Sequence, residues 1–586
     1  MSNIFSLKNL RNKPHRDGFD LSFNNTMTAP LGALLPCMFK DCMPGDKFKI
    51  NTSWFTRSQP CTAPAYSKFT EYVDFFFVPY HFLWRYFPDF ITQTGNNNFA
   101  DNINTSEKVN FTQHPYFTQS GFKSYLNRLV SEYKLASGAH VFTNSAFNMF
   151  GMVGNMHRIL DIKRLYEYLG YGTLELQTSS AAVYYYAATP KFHTEVMNPF
   201  PLLAYNKIYN DFYRNSQWEK ANPRNFNVDY LTPFGSSMEM NLSQMSYKDS
   251  DDYYLDNIFD LKYCNYNKDM FTGALPSKQF GDMAIASPIV SSSGSPLNIF
   301  YVKDNDTRRA SFLGNAITNP QGAINQIEPD AKKNSCGITA LAIRQAEFLQ
   351  KWKEITQSGG TDYVSQMEKH FGVKPNSDIA HRCKYLGGIT KNFGADEVVN
   401  TNLTDSNEPT IMGKCVNVGN GNIEFSTSEH GLLMGIYHIS LLPSYSDFGD
   451  ELLRKTMPSD YVIPELDNIG MQPVYQRQLF SRSSGTGGSL IGYVPRYSEY
   501  KSSVDVINGA FVDVYKNWVT PIGSSFTLLF NGDIKPSYAS FKVNPRTLDN
   551  LFNVVYNGNY STDPFFVNLS FDIKAVRNIS RDGLPW

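Results

Sequence analysis

The residues able to do chemistry are few and poorly grouped. Glu429-His430 and His438 lie in or beside an apolar run, Leu432 to Leu442, and two histidines on one strand face could share a metal. Gly431 and Gly435 intervene, so structural histidines are the plainer reading. Cys37 and Cys42 have no second Cys or His pair beside them, which leaves a zinc site or disulfide without support. The acidic run Asp249, Asp251, Asp252, Asp256 and Asp260 fails the EF-hand frame, because Tyr253 and Tyr254 stand where a ligand and the glycine belong. An exposed acidic loop is expected there, with a looser structural calcium site at a subunit contact as the alternative.

Other catalytic patterns fail in the same way. Ser131 to Lys134 and Ser498 to Lys501 both read SEYK, matching SxxK without its KTG partner. Ser483 to Ser489 is a glycine-rich loop lacking the lysine and the strand-to-helix setting of a phosphate cradle. No GxxxxGK[ST], HExxH or GxSxG occurs. No catalytic residue, metal ligand set or cofactor site is therefore expected. The one charged cluster suited to a partner is Lys8, Arg11, Lys13 and Arg16, which precedes the first acid, Asp17, and reads as a basic arm able to touch nucleic acid.

The elements around these residues are mainly β. Phe565, Val567, Leu569, Phe571 and Ile573 alternate with Asn568, Ser570 and Asp572, and Phe48, Ile50, Thr52 and Trp54 alternate with Lys49, Asn51 and Ser53. Pairing these two strands as neighbours makes the rest either further sheet or insertion, the logic of a Greek-key sandwich. Tyr66 to Val78 is so aromatic that both faces should be covered, Leu432 to Leu442 reads as a buried strand, and Phe526 to Phe530 as another. Prolines and glycines from Thr28 to Pro44 predict an extended segment without regular structure. Helical spacing runs through Ile159 to Leu169, stopping at Gly170, and through Tyr205 to Phe212. Ile338 to Ile355 is the strongest helix, predicted to face the core.

Composition narrows the class. The 586 residues carry 15% aromatics and only 18% charged side chains, against roughly 25% charged in ordinary soluble domains. Much of the surface is then aromatic or uncharged, which suits large contacts. With 53 basic and 54 acidic residues, the chain as a whole is no nucleic-acid coat by charge. Seven scattered cysteines fit free thiols in a reducing compartment. The N-terminus has no secretory pattern and no run is long enough to cross a membrane, so a cytoplasmic origin without membrane insertion is expected.

Several phrases then resemble one family. They are Phe75 to Pro79 with Leu83-Trp84, Leu203 to Arg214, Arg344 to Glu347, His370 to Val373, Tyr385 to Gly388, Gly492 to Tyr497 and Asp582 to Trp586. In this order they resemble the major capsid proteins of the microviruses, small tailless phages with circular single-stranded DNA. The wording is nearest the gokushovirus-like and Bacteroidetes-associated, alpavirus-like lineages. The resemblance implies an eight-stranded viral jelly roll, a β-sandwich with long helical and loop insertions, built as about sixty copies into a T=1 shell. It also implies a virion location, assembly in the host bacterial cytoplasm, a small basic internal protein and a DNA pilot protein as partners, and a host surface receptor. The expected domains are an arm and extended segment at 1–45, core at 46–220, a surface insertion forming threefold protrusions at 221–334, and core again at 335–586, with helix 338–357 and the last strand 565–573.

A genome encoding this chain carries at least about 1,760 phosphates, whereas about sixty arms with four cations each supply about 240 charges. The arms are thus expected to anchor DNA locally, with inward aromatics stacking on bases and other cations doing the neutralising. Two other classes compete: a trimeric phage spike, and a carbohydrate-binding or carbohydrate-active jelly roll. The enzyme would need a paired-carboxylate cleft with one raised acid, and no such pair is legible.

Overall fold

The computed structural model describes residues 14–92, 113–132, 154–178, 185–192, 195–230, 238–242, 258–282, 284, 311–312, 315–316, 340–376, 380–399, 411–446, 448–467, 469–479, 490–522, 541–548, 551–552, 556–557 and 560–582. Among the described residues nine strands form one antiparallel sheet: β1 (Asp17–Asp20), β2 (Phe23–Ala29), β3 (Leu35–Cys42), β4 (Lys47–Ser58), β5 (Lys68–Pro79), β6 (Lys384–Val399), β7 (Ile411–Ser426), β8 (Gly431–Leu441) and β9 (Phe565–Arg577). Their order is β1-β9-β4-β7-β6-β5-β8-β3, with β2 also on β9. The sheet curls so that β9, β4 and β7 face β5 and β8, giving the expected mainly-β jelly-roll sandwich with insertions.

The expected neighbours are paired, Ile50 opposite Ile573 and Trp54 opposite Leu569. Alternation in β4 buries Phe48, Ile50, Thr52 and Trp54, and in β9 Phe565 to Ile573 does the same. β8 is buried along its whole length between β3 and β5, as an apolar run covered on both faces should be. β5 is likewise covered twice: Phe69 and Phe75 meet Phe565 and Phe571 inside, while Phe76 meets Phe212 and Tyr385 outside.

The two halves are stitched by one carboxylate. Glu71 points inward among Phe69, Val73 and Phe75 and is 0% exposed. Its Oε2 accepts from Trp54 Nε1 at 2.8 Å and from the Asn417 amide, and its Oε1 accepts from the Tyr437 hydroxyl at 2.8 Å. β4, β7, β5 and β8 thus share one acceptor. Gly419 stands opposite Trp54, where any Cβ would collide with the indole ring, so glycine lets the indole lie across β7.

Two expectations change. Thr28 to Pro44 is not without regular structure: it holds the end of β2 and the whole of β3, with β3 at the end of the sheet order. Pro36 is tolerated there because it sits at the register break between Gly435 and Ile436 on an edge strand. The helix α3 (Ala340–Ser358) forms, but Phe348 and Trp352 are exposed and it does not face the core. The chain also divides into two compact units, Met1–Pro276 with Pro375–Trp586, and Ser277–Lys374. Ile258 to Ala274, inside the expected insertion, contributes Phe259, Tyr263 and Phe271 to the core of the first unit. The strand expected at Phe526 to Phe530 lies outside the described residues.

Helices α1 (Gly154–Tyr168) and α2 (Phe200–Ile208) are where the periodicity places them. α1 stops at Gly170, φ +74°, and is tied to the entry of β9 by Arg164, whose Nη2 lies 2.7 Å from Asp563. In the second unit α4 (Tyr363–Phe371) follows α3, capped by Asp362 at its start and by Gly372, φ +66°, at its end.

Replacing Glu71 by Ala would strand three donors between the two halves. We expect a loss of about 3–5 kcal/mol, against about 1–2 kcal/mol for Tyr437→Phe, read as denaturant midpoints of the unassembled subunit. Equal midpoints for Glu71→Ala and wild type would remove the carboxylate from this role.

Candidate assembly surface

The segment after β8 reverses the usual arrangement of polar and apolar groups. Three short turns follow one another, Glu451–Arg454, Pro458–Asp460 and Pro464–Leu466, with Pro458 and Pro464 opening the last two. The Asp450 carboxylate accepts from the Leu452 N–H at 2.8 Å, and Asp460 from the N–H groups of Thr456 and Met457 at 3.1 and 2.9 Å. Two basic side chains turn back onto the chain. Arg454 Nη2 donates to the Arg477 carbonyl at 2.6 Å, and Lys455 Nζ lies 3.3 Å from Glu499 with its side chain only 4% exposed. Leu452, Leu453, Met457 and Tyr461 are left facing outward, Leu453 at 84% exposure.

The same inversion recurs in the second unit. On α3 two polar residues make contacts within the unit, Gln350 Nε2 donating to Gln279 Oε1 at 2.7 Å and Lys353 to the Asp282 carbonyl, while Arg344, Gln345, Glu347 and Lys351 stay exposed beside the apolar side chains. Ile343, Phe348, Leu349 and Trp352 are exposed, Phe348 at 67%, and Tyr363 and Phe371 of α4 join them. Apolar groups held outward by a polar frame mark a contact surface, because an isolated soluble chain gains nothing from ordering them in water.

The residues singled out for chemistry scatter. Glu429 Oε2 lies 3.2 Å from His81 Nδ1, and the His430 ring lies 5.9 Å from Phe87. His438 is buried, stacked on Tyr72 at 4.7 Å. Among the described residues no group of three or more His, Cys, Asp or Glu is placed to hold a metal ion. Cys37 and Cys42 are free and buried; burial pushes the Cys42 thiol up to about 12, with Asp46 adding to it. Ser498 Oγ accepts from Gln472, and Lys501 Nζ pairs with Asp467 at 2.6 Å, so this SEYK is structural. Of the basic arm, Arg16 bonds the Gly45 carbonyl at 2.6 Å. Lys8, Arg11, Lys13, the Asp249 to Asp256 run and the Ser483 loop lie outside the described residues.

Burial pushes the His438 imidazole down to about 3 from its ordinary 6.5. The unfolded chain therefore takes up this proton first. The stability contribution is complete above about pH 6.5 and falls away toward pH 3, on the order of 5 kcal/mol in all and about 2 kcal/mol of it by pH 5. Urea midpoints at pH 7 and pH 5 should fall more for wild type than for His438→Gln. Equal falls would contradict the assignment.

Comparison with known proteins agrees with a chain built for assembly. The chain is 24% identical over 542 residues to the capsid protein VP1 of Chlamydia phage 1, covering 85% of this chain and 84% of that one. It is 24% identical over 529 residues to the capsid protein VP1 of Bdellovibrio phage phiMH2K, covering 85% and 82%. To the capsid protein VP1 of Spiroplasma virus 4 it is 21% identical over 357 residues, covering 56% and 62%. The family described as capsid protein (F protein) of phages matches residues 9–128 and 176–582. A jelly-roll sandwich whose apolar side chains are framed outward, matched along most of its length by this family, belongs to it: the chain is a structural major capsid protein of the phage F-protein family.

Proposed function

We propose that about sixty copies of this chain close into a T=1 icosahedral shell around a circular single-stranded DNA genome. The observation that carries this reading is the pair of outward apolar surfaces, Leu452 to Tyr461 and the α3 face, each fixed by inward polar contacts. In the shell they meet other copies. Lys8, Arg11, Lys13 and Arg16 anchor DNA locally, while a small basic internal protein and cellular cations carry most of the neutralisation. A DNA pilot protein enters with the genome. The insertion within 221–334 stands at the threefold axes and meets the host receptor, with a calcium ion at its acidic run as a stabilising option. Assembly takes place in the bacterial cytoplasm, and the protein does no catalysis.

Sedimentation with negative-stain imaging and the absorbance ratio of particles tests this. Uniform shells, part of them rich in nucleic acid, are expected; trimers or monomers, with the neighbouring genes co-expressed, would contradict it. A variant separates assembly from folding. Leu453→Asp should leave subunit unfolding within about 0.5 kcal/mol of wild type yet abolish particles, and particles at the wild-type yield would remove this segment from the shell contacts.

A further inference from the structure

The outer face of β5, β6 and β8 carries a cavity of about 440 Å3, and departures from regular backbone shape it. In β6 the register slips between Tyr385 and Gly387, where Gly387 takes φ +132°. This bulge turns the Tyr385 ring onto Phe76, centroids 5.4 Å apart. Gly388 stands opposite Asp74, where a Cβ would collide with the Asp74 carboxylate and the Tyr385 hydroxyl. On the other side α2 runs into a π-turn, Tyr209–Tyr213, which brings Phe212 and Tyr213 to 4.9 and 5.9 Å from the Phe76 ring. Such π-turns are frequent at functional sites. Two of the stretches that carry the family resemblance, 203–214 and 385–388, meet here.

Four of the lining side chains are large aromatics with rings in mutual contact, and three buried polar atoms of the lining lack a hydrogen-bond partner. Tyr72 lies parallel to His438, with Tyr213 edge-on to the imidazole at 5.5 Å. Asp74 is satisfied by the hydroxyls of Tyr213 and Tyr385 at 2.8 and 3.1 Å. His438 Nδ1, Ser440 Oγ and Asn265 Oδ1 all belong to lining residues and are buried without a hydrogen-bond partner. Ser440 has only the weak Cys264 sulfur beside it. His438 and Ser440 are 6% and 3% exposed. Buried polar atoms are almost always paired, so two orphans and a hydroxyl with only a sulfur beside it, all around one cavity, point to a missing ligand.

A flat heteroaromatic ring meets both demands: its faces stack on the walls and its edge supplies donors and acceptors. We propose that this cavity binds an unpaired base of single-stranded nucleic acid, seated among Tyr72, Phe76, Phe212 and Tyr385 with its edge toward His438, Ser440 and Asn265. Tyr385 and Thr390 are exposed at the mouth, so the sugar-phosphate chain stays in solvent. The Arg382 guanidinium, 4.6 Å over Phe212, puts a positive charge at that wall. The inference rests on the reading of the shell as a DNA container.

The test uses full-length protein and particles. Fluorescent oligothymidylate and oligoadenylate are titrated at low and high salt, and ultraviolet cross-links to packaged DNA are mapped by peptide. Tyr385→Ala and Thr390→Trp change exposed positions, so both should fold. We expect each to weaken binding about fivefold or more, with the deficit persisting at high salt because stacking is not screened, and cross-links in 203–214 and 384–390. Unaltered binding by both variants, or competition by free monosaccharides, overturns the proposal. Wild-type particles without nucleic acid would overturn the container reading itself, whereas DNA-filled particles with unaffected variants overturn this site alone.

Discussion

A jelly roll holds together only if its two halves stay in register, and here the register depends on one buried carboxylate. Glu71 has no contact with water, yet β4, β5, β7 and β8 all reach it through Trp54, Asn417 and Tyr437. Sliding any of these strands would leave a donor or the carboxylate unpaired in an aromatic interior, at several kcal/mol. Dispersion among Phe69, Phe75, Phe565 and Phe571 supplies attraction without direction. The polar hub adds the direction.

With the interior fixed this way, the surface is free to break the rule that apolar groups go inside. Around Leu453 and along α3, hydrogen bonds and an ion pair tie Arg454, Lys455 and Gln350 back onto the chain and leave large apolar side chains exposed. A single copy is an incomplete object, and its low charge fraction follows from that. Surface destined for burial cannot carry charges that would have to be desolvated.

What could be read from the sequence followed from periodicity. Alternation in Phe48 to Trp54 and Phe565 to Ile573 placed two strands, and their pairing followed from the fold logic. Glu71 is legible in principle, since it shares parity with Phe69, Val73 and Phe75, but two of its three donors, Asn417 and Tyr437, lie about 350 residues further along the chain. β3 was missed because Pro36 reads as a breaker until its edge position is known. The helical spacing of α3 shows which side chains share a face; it cannot say whether that face meets the same chain or another. The cavity beside Tyr385 is invisible in the sequence, because a β-bulge at Tyr385 and a π-turn at Tyr209–Tyr213, far apart in the chain, must meet before it exists.

The central claim is that the outward apolar side chains are contacts in waiting. Hydroxyl-radical footprinting of free subunits against purified particles tests it residue by residue. Met457, Tyr461, Phe348 and Trp352 should be oxidised in the free subunit and protected in the particle, while Phe75 and Tyr437 stay protected in both. Equal oxidation of the first four in both states would contradict the account.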